Sequence, residues 1–171
     1  MTTGTFAQWV EPIARRDREG RAELLEFARS VPAEAWDRTS PVEGWTYRDV
    51  LAHIASDSGK WFAYILRTVL NGERLDPTRV GPGVDVDAVN ARGVAERRGR
   101  SIAELIAAIE ADGADHQELL ARLTNEDRDT RQAGYPTSFA EFLSENPAGS
   151  RGGHDREHLA QLRTALEKVK A

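Results

Sequence analysis

Thr46-Tyr47-Arg48-Asp49-Val50-Leu51-Ala52-His53-Ile54-Ala55-Ser56-Asp57-Ser58-Gly59-Lys60-Trp61-Phe62-Ala63-Tyr64-Ile65-Leu66-Arg67-Thr68-Val69-Leu70-Asn71-Gly72 is the stretch that decides the fold class. Val50, Leu51, Ile54, Trp61, Phe62, Ile65, Leu66, Val69 and Leu70 recur at helical steps and form one broad apolar face. Thr46 is placed to cap the first turn, and Asp49 three residues on can return the bond. Asn71-Gly72 supplies a stop. The reading is a helix of about seven turns.

The same spacing extends on both sides. Phe6, Trp9, Val10, Ile13, Leu24, Phe27, Ala28 and Val31 share a face, with Gly20 interrupting the middle and Pro32 ending the segment. Residues 72 to 84 carry Pro77, Gly81, Pro82 and Gly83 and read as a surface crossover loop. A short helical piece follows with Val86, Val89, Asn90 and Val94. Ser101 and Glu104 form a capping box before Ile102, Leu105, Ile106, Ile109, Leu119, Leu120 and Leu123, so the two pieces are either separate or one helix broken at Gly99. Ser138 and Glu141 form another box before Phe139 to Leu143. The last helix, from near Gly153 to Lys168, puts Leu159, Leu162, Leu166 and Val169 on one face. No period-two alternation supports a sheet. Four long helical segments predict an all-α four-helix bundle in a single domain spanning residues 1–171.

Composition narrows the chemistry. The chain has 171 residues, a formal net charge of −5 and no cysteine. Disulfides, thiolate metal ligation and a cysteine nucleophile are therefore excluded. The longest apolar run, Trp61 to Leu66, is far short of the roughly 18 residues of a membrane span. The N-terminus shows no signal-peptide pattern, so a cytoplasmic location is expected. The acidic balance argues against a nucleic-acid partner, and nothing calls for a membrane.

With 4 histidines, each can be weighed separately. His154 and His158 are four apart, on one face, with Cβ atoms about 5–6 Å apart. Such a pair can converge on one metal. His53, between Val50 and Ile54, lies on or beside the face that packs inward. A buried histidine there needs a hydrogen-bond partner or a metal. The alternative is a core histidine bonded to Asp49 or Asp57. With an i, i+4 pair available on another helix, the metal is the stronger reading. His116, deep in its helix, is given a structural role, with a fourth-ligand role as the weaker alternative. Asp57, Asp155 and Glu157 are candidate carboxylates behind the ligands, and Asp57 is also the candidate general base. Gly152-Gly153 reads as a tight turn whose helix start offers free N–H groups to an anion.

Gly44-Trp45-Thr46-Tyr47-Arg48-Asp49-Val50-Leu51-Ala52-His53-Ile54 resembles the GW(T/S)-x-x-(D/E)-(V/L)-x-x-H-(L/I) segment of the DinB-like superfamily. That superfamily includes the N-terminal domain of mycothiol-dependent maleylpyruvate isomerases. His154-Asp155-Arg156-Glu157-His158-Leu159-Ala160-Gln161-Leu162 resembles its closing H-x-x-x-H-x-x-Q-(L/I) segment. The resemblance implies a four-helix bundle with a crossover between helices 2 and 3. It also implies a divalent metal held by His53, His154 and His158. In the isomerases the position matching His154 is Glu, and here it is His, as in many other DinB-like members.

Zn²⁺ and Ni²⁺ are the first expectations for the ion, and three imidazoles also accept Cu²⁺ or Fe²⁺. The first functional reading is a metal-dependent S-transferase or isomerase. Its cofactor would be a low-molecular-weight thiol of the mycothiol or bacillithiol type, and its second partner a small electrophilic substrate. Metal-dependent hydrolysis is a second reading. A non-catalytic, metal-binding stress-response bundle is a third. The resemblance also implies a homodimer. The aromatic side chains proposed for the substrate mouth are Trp45, Trp61 and Tyr64, with core packing the stronger reading for Trp61.

Overall fold

The computed structural model describes residues 6–56, 58–76, 78–80, 83–131, 137–145 and 151–167. Among these, seven α-helices and one 3-10 turn form, with no strand beyond an isolated Thr39–Thr46 bridge. The helices are α1 (Glu11–Ser30), α2 (Tyr47–Ile54), α3 (Ser58–Leu70), α4 (Val86–Arg97), α5 (Ile102–Leu120), α6 (Phe139–Glu145) and α7 (Arg151–Glu167). The protein is all-α, as the helical spacing predicts.

The long helix expected from Thr46 to Leu70 is two helices. Thr46 caps α2 as anticipated: its Oγ1 accepts the Asp49 N–H at 3.2 Å, and Asp49 Oδ2 accepts the Thr46 N–H at 3.0 Å. The break comes at Ser56. Its hydroxyl donates to the His53 carbonyl at 2.6 Å and its N–H does so at 3.0 Å, a tight i+3 closure at the end of α2. The apolar face runs straight through this break, which is why spacing alone did not show it. Similarly, α4 and α5 are separate helices, because the Ser101–Glu104 box starts α5 afresh. The crossover segment is not purely a surface loop: Leu75 and Val80 are buried in it.

Gly20 does not interrupt α1, which runs unbroken through it. A Cβ on Gly20 would lie 2.8 Å from the Gly152 carbonyl oxygen. One on Gly152 would lie 2.5 Å from the Arg16 carbonyl oxygen and 2.8 Å from Asp17 Cα. These glycines let α1 and α7 cross backbone to backbone. Gly152 is already helical, not part of a turn.

The apolar core falls into two clusters. One gathers Leu24, Leu25, Val50, Leu51, Ile54, Leu105, Ile109, Leu159 and Leu162. The other gathers Val10, Ile13, Ala14, Ile65, Leu66, Leu119, Leu120 and Phe142. Between them along α1 and α5 sit Asp17, Arg21, Asp112 and His116. Arg151 and Asp155 of α7 join this buried polar layer. The Leu166 side chain and Val169 lie outside the described residues.

Candidate metal centre

His53 is placed by the last turn of α2, and His154 and His158 by the first two turns of α7. The structure brings the three together: each offers a ring nitrogen, and these atoms all lie within 4.8 Å of one another. Ring centroids are 5.3 Å apart for His53–His154, 4.8 Å for His53–His158 and 4.4 Å for His154–His158. His154 Nε2 and His158 Nε2 are 3.2 Å apart. Two nitrogens bound tetrahedrally to one ion at roughly 2.0–2.1 Å stand about 3.3 Å apart, so this pair has the right spread.

The protonation pattern fits a cation. His158 Nδ1 donates to Gln161 Oε1 at 2.8 Å, which leaves the Nε2 lone pair facing the centre. His154 Nδ1 faces Asp155 Oδ1 at 3.9 Å, so its Nε2 is again the inward atom. Two lone pairs directed at each other repel unless a proton or a cation lies between them. In the ion-free site a neutral His154 with its proton on Nε2 can bridge the pair, and a cation can take that proton's place, whereas the doubly protonated rings are disfavoured. Burial, then the neighbouring His158, His154 and Arg151, push His53 down to about 2. Burial takes His154 down to about 4 against the raising influence of Asp155. Burial also lowers His158, opposed by Gln161, Glu157 and Asp155. All three are neutral at pH 7, the form that ligates a metal.

The surroundings are apolar on one side and ionic on the other. The Trp45 ring is 5.3 Å from His53, and the Phe62 ring is 5.8 Å from His154 and 6.2 Å from His116. The Asp49 alternative for His53 is closed. Asp49 Oδ2 is taken by Thr46, and Oδ1 accepts from Arg98 Nε at 2.8 Å. His116 is apart from the triad, with Nε2 on Asp17 Oδ2 at 3.1 Å, both residues buried. Of the candidate carboxylates, Asp155 is fully buried beside His154, Glu157 is exposed, and Asp57 lies outside the described residues. The free N–H expected at Gly152 is occupied: it donates to Asp17 Oδ1 at 2.7 Å.

Sequence reasoning named Asp155 but missed the charges that hold it and this end of α7. Arg21 Nε donates to Asp155 Oδ2 at 2.6 Å, and Arg21 Nη1 donates to the Ile109 carbonyl. Arg151 Nη2 lies 2.9 Å from Asp112 Oδ2 and donates to the Ile54 carbonyl at 3.1 Å, next to His53 on α2. Burial alone would raise Asp155, but Arg151 and Arg21 outweigh it and hold the carboxyl well below the usual range. The i, i+4 spacing of Arg151 and Asp155 was visible. That both are buried was not.

Three neutral imidazoles would leave a divalent ion its full charge and an open position, the arrangement of catalytic or ligand-binding sites. No helix of the described residues is long and apolar enough to cross a membrane. Neither the curated proteins nor the solved structures give a match to this chain. The family model described as the mycothiol maleylpyruvate isomerase N-terminal domain matches residues 18–146, a span that includes His53 and ends before His154 and His158. That match covers most of the chain, which therefore belongs to this DinB-like family.

Proposed function

We propose that the protein binds a divalent metal through His53, His154 and His158 and acts as a metal-dependent S-transferase or isomerase using a low-molecular-weight thiol. The observation that carries this is the convergence of three neutral imidazoles from two helices, two of them with Nε2 atoms 3.2 Å apart. The family match supports the thiol, and if thiol chemistry occurs here its sulfur must arrive with a diffusible cofactor, since the chain has no cysteine. A bound Zn²⁺ or Ni²⁺ would supply Lewis acidity, lowering the pKa of a thiol presented to it.

The chain's own residues do the rest. Gln161 fixes the tautomer of His158. Trp45 and Phe62 present ring surface to His53 and His154, limiting water around them. Arg151 and Arg21 hold Asp155 ionised behind His154. The layout of α1, α2 with α3, α5 and α7 supports a four-helix bundle with the 72–84 segment as crossover. A homodimer in the cytoplasm, with no nucleic-acid or membrane partner, completes the proposal.

Metal analysis of purified protein tests it, with His53→Ala and His158→Ala alongside. The expected result is one divalent ion per chain, lost in both variants. A Co²⁺-loaded form should change its visible spectrum on adding a thiol such as cysteine or mycothiol. No stoichiometric metal even after reloading would overturn the proposal. Metal without any spectral response to thiols would overturn its thiol half.

A further inference from the structure

A cleft whose described lining includes none of the histidines lies between α3, α4 and the residues Thr78, Arg79 and Val84. It has a volume of about 210 Å³ and is lined by Trp61, Tyr64, Arg79, Val89, Arg92 and Gly93, among others. Its walls are built, not incidental. The Arg79 guanidinium stacks over the Tyr64 ring, 4.2 Å from the centroid. Tyr64 is itself pinned, its hydroxyl accepting the Asp76 N–H at 3.0 Å. Asp76 Oδ1 accepts the Thr78 N–H at 2.8 Å and hydroxyl at 2.7 Å, shaping the turn that carries Arg79. Buried Leu75 and Val80 anchor that turn from below.

The ring contact holds the Arg79 guanidinium in place without using its N–H donors, which suit a carboxylate. Arg92 adds a second positive charge from α4. The single acidic residue lining the cleft, Glu96, lies 3.6 Å from Arg97 Nη1. Trp61, Val84 and Val89 supply an apolar wall for whatever the carboxylate is attached to. Beside Arg92, Gly93 sits against Ser56 so closely that a Cβ there would be 2.9 Å from the Ser56 Cβ and hydroxyl oxygen. Ser56 in turn bonds the His53 carbonyl. The cleft therefore abuts the end of the helix that carries His53.

We infer that this cleft binds a small carboxylate with a planar apolar body, through Arg79 and Arg92 at one end and Trp61 at the other. Calling that molecule the electrophilic substrate rests on the function proposed above; its binding does not.

The test titrates the full-length protein with benzoate, benzamide and inorganic phosphate, by calorimetry or ligand-observed NMR at low salt. Benzoate is expected to bind in the millimolar range or tighter, with benzamide and phosphate at least tenfold weaker. Arg79→Gln, Arg92→Gln and Trp61→Leu should each weaken benzoate about tenfold, the scale of one charge-assisted contact or one lost ring. Arg67→Gln, an exposed change elsewhere on α3 where Arg67 pairs with Asp115, should leave it unchanged. His53→Ala should also leave benzoate binding intact, so loss of the metal reading and loss of this one are separable. Equal binding of benzoate and benzamide would overturn the inference. So would equal binding of phosphate, or no benzoate binding at 10 mM by roughly millimolar expectation, or both arginine variants binding normally.

Discussion

Replacing Gly152 with Ala tests how the site is positioned. The new Cβ would sit 2.5 Å from the Arg16 carbonyl oxygen and 2.8 Å from both Asp17 Cα and Asp17 Oδ1. Two of those three neighbours are backbone of α1, which cannot swing away as a side-chain tip can. To restore ordinary contact the helices must part by roughly 0.9 Å at this point. Overpacking of this kind costs about 1–3 kcal/mol, and backbone against backbone belongs at the upper end. Alanine's better helix propensity returns about 1 kcal/mol. The net expectation is about 2 kcal/mol of lost stability, or roughly 4–8 °C in Tm for a chain of this size. The displacement falls two residues before His154, and metal ligands tolerate only about 0.2 Å, so metal affinity should drop at least tenfold. Gly99→Ala is the matched control: nothing lies within 4 Å of its Cβ, and its φ is not positive. It should be neutral or slightly stabilising, by up to about 1 kcal/mol. Urea unfolding and metal titration of both variants provide the comparison. If Gly152→Ala unfolds at the wild-type midpoint, the close crossing of α1 and α7 is not what seats the site.

Thr46→Ala removes the Oγ1 half of the α2 capping box, leaving Asp49 on the backbone N–H of residue 46, and should cost about 1 kcal/mol in urea unfolding. Asp17→Asn puts an amide against His116 and removes the charge facing the Gly152 N–H; a loss of about 2 kcal/mol is expected from the same measurement. For the metal-free protein, acid is the relevant stress. The triad histidines bind protons near pH 6.5 when unfolded and lower when folded, His154 at about 4, His53 at about 2 and His158 shifted in the same direction by burial. The unfolded state therefore binds more protons below pH 6.5, and stability falls as pH drops through that value. At pH 5.5 the loss is about 1 kcal/mol for each of His53 and His154, with His158 contributing in the same direction, read as a falling midpoint in pH-resolved unfolding. A midpoint that rises on acidification would contradict burial of neutral imidazoles.

The histidine triad was legible because its parts obey local rules. His154 and His158 share a face by spacing alone, and His53 interrupts an apolar stripe that can only point inward. The helix starts were legible too, at Thr46, Ser101 and Ser138, since a capping box is written in four consecutive residues. The break after Ile54 was not, because the apolar face continues across it and the Ser56 bond to the His53 carbonyl leaves no mark on the spacing. The glycines misled for a related reason. Gly20 and Gly152 look like breakers in a single segment, and their actual use is a contact 132 positions apart in sequence, which no local pattern contains.

The buried charges were the least legible part, and they explain why the triad forms where it does. Only Asp155 stood out, as a candidate carboxylate behind the ligands, while Arg21, Asp112 and Arg151 carry no local signal, each being of a type almost never fully buried unless paired. Here the pairing comes from three helices at once, with α1 giving Arg21, α5 giving Asp112 and α7 giving Arg151 and Asp155. Such a cluster need not add stability, because desolvating the ions offsets much of their attraction. Its consequence is register. Sliding α7 by one turn along α1 would strand Asp155 away from Arg21 and Gly152 away from the Asp17 carboxylate, leaving buried charges unpaired at several kcal/mol. An all-leucine interface would forgive that slide. The chain accepts a buried ionic layer between its two apolar clusters, and in return His154 and His158 meet His53 at one height.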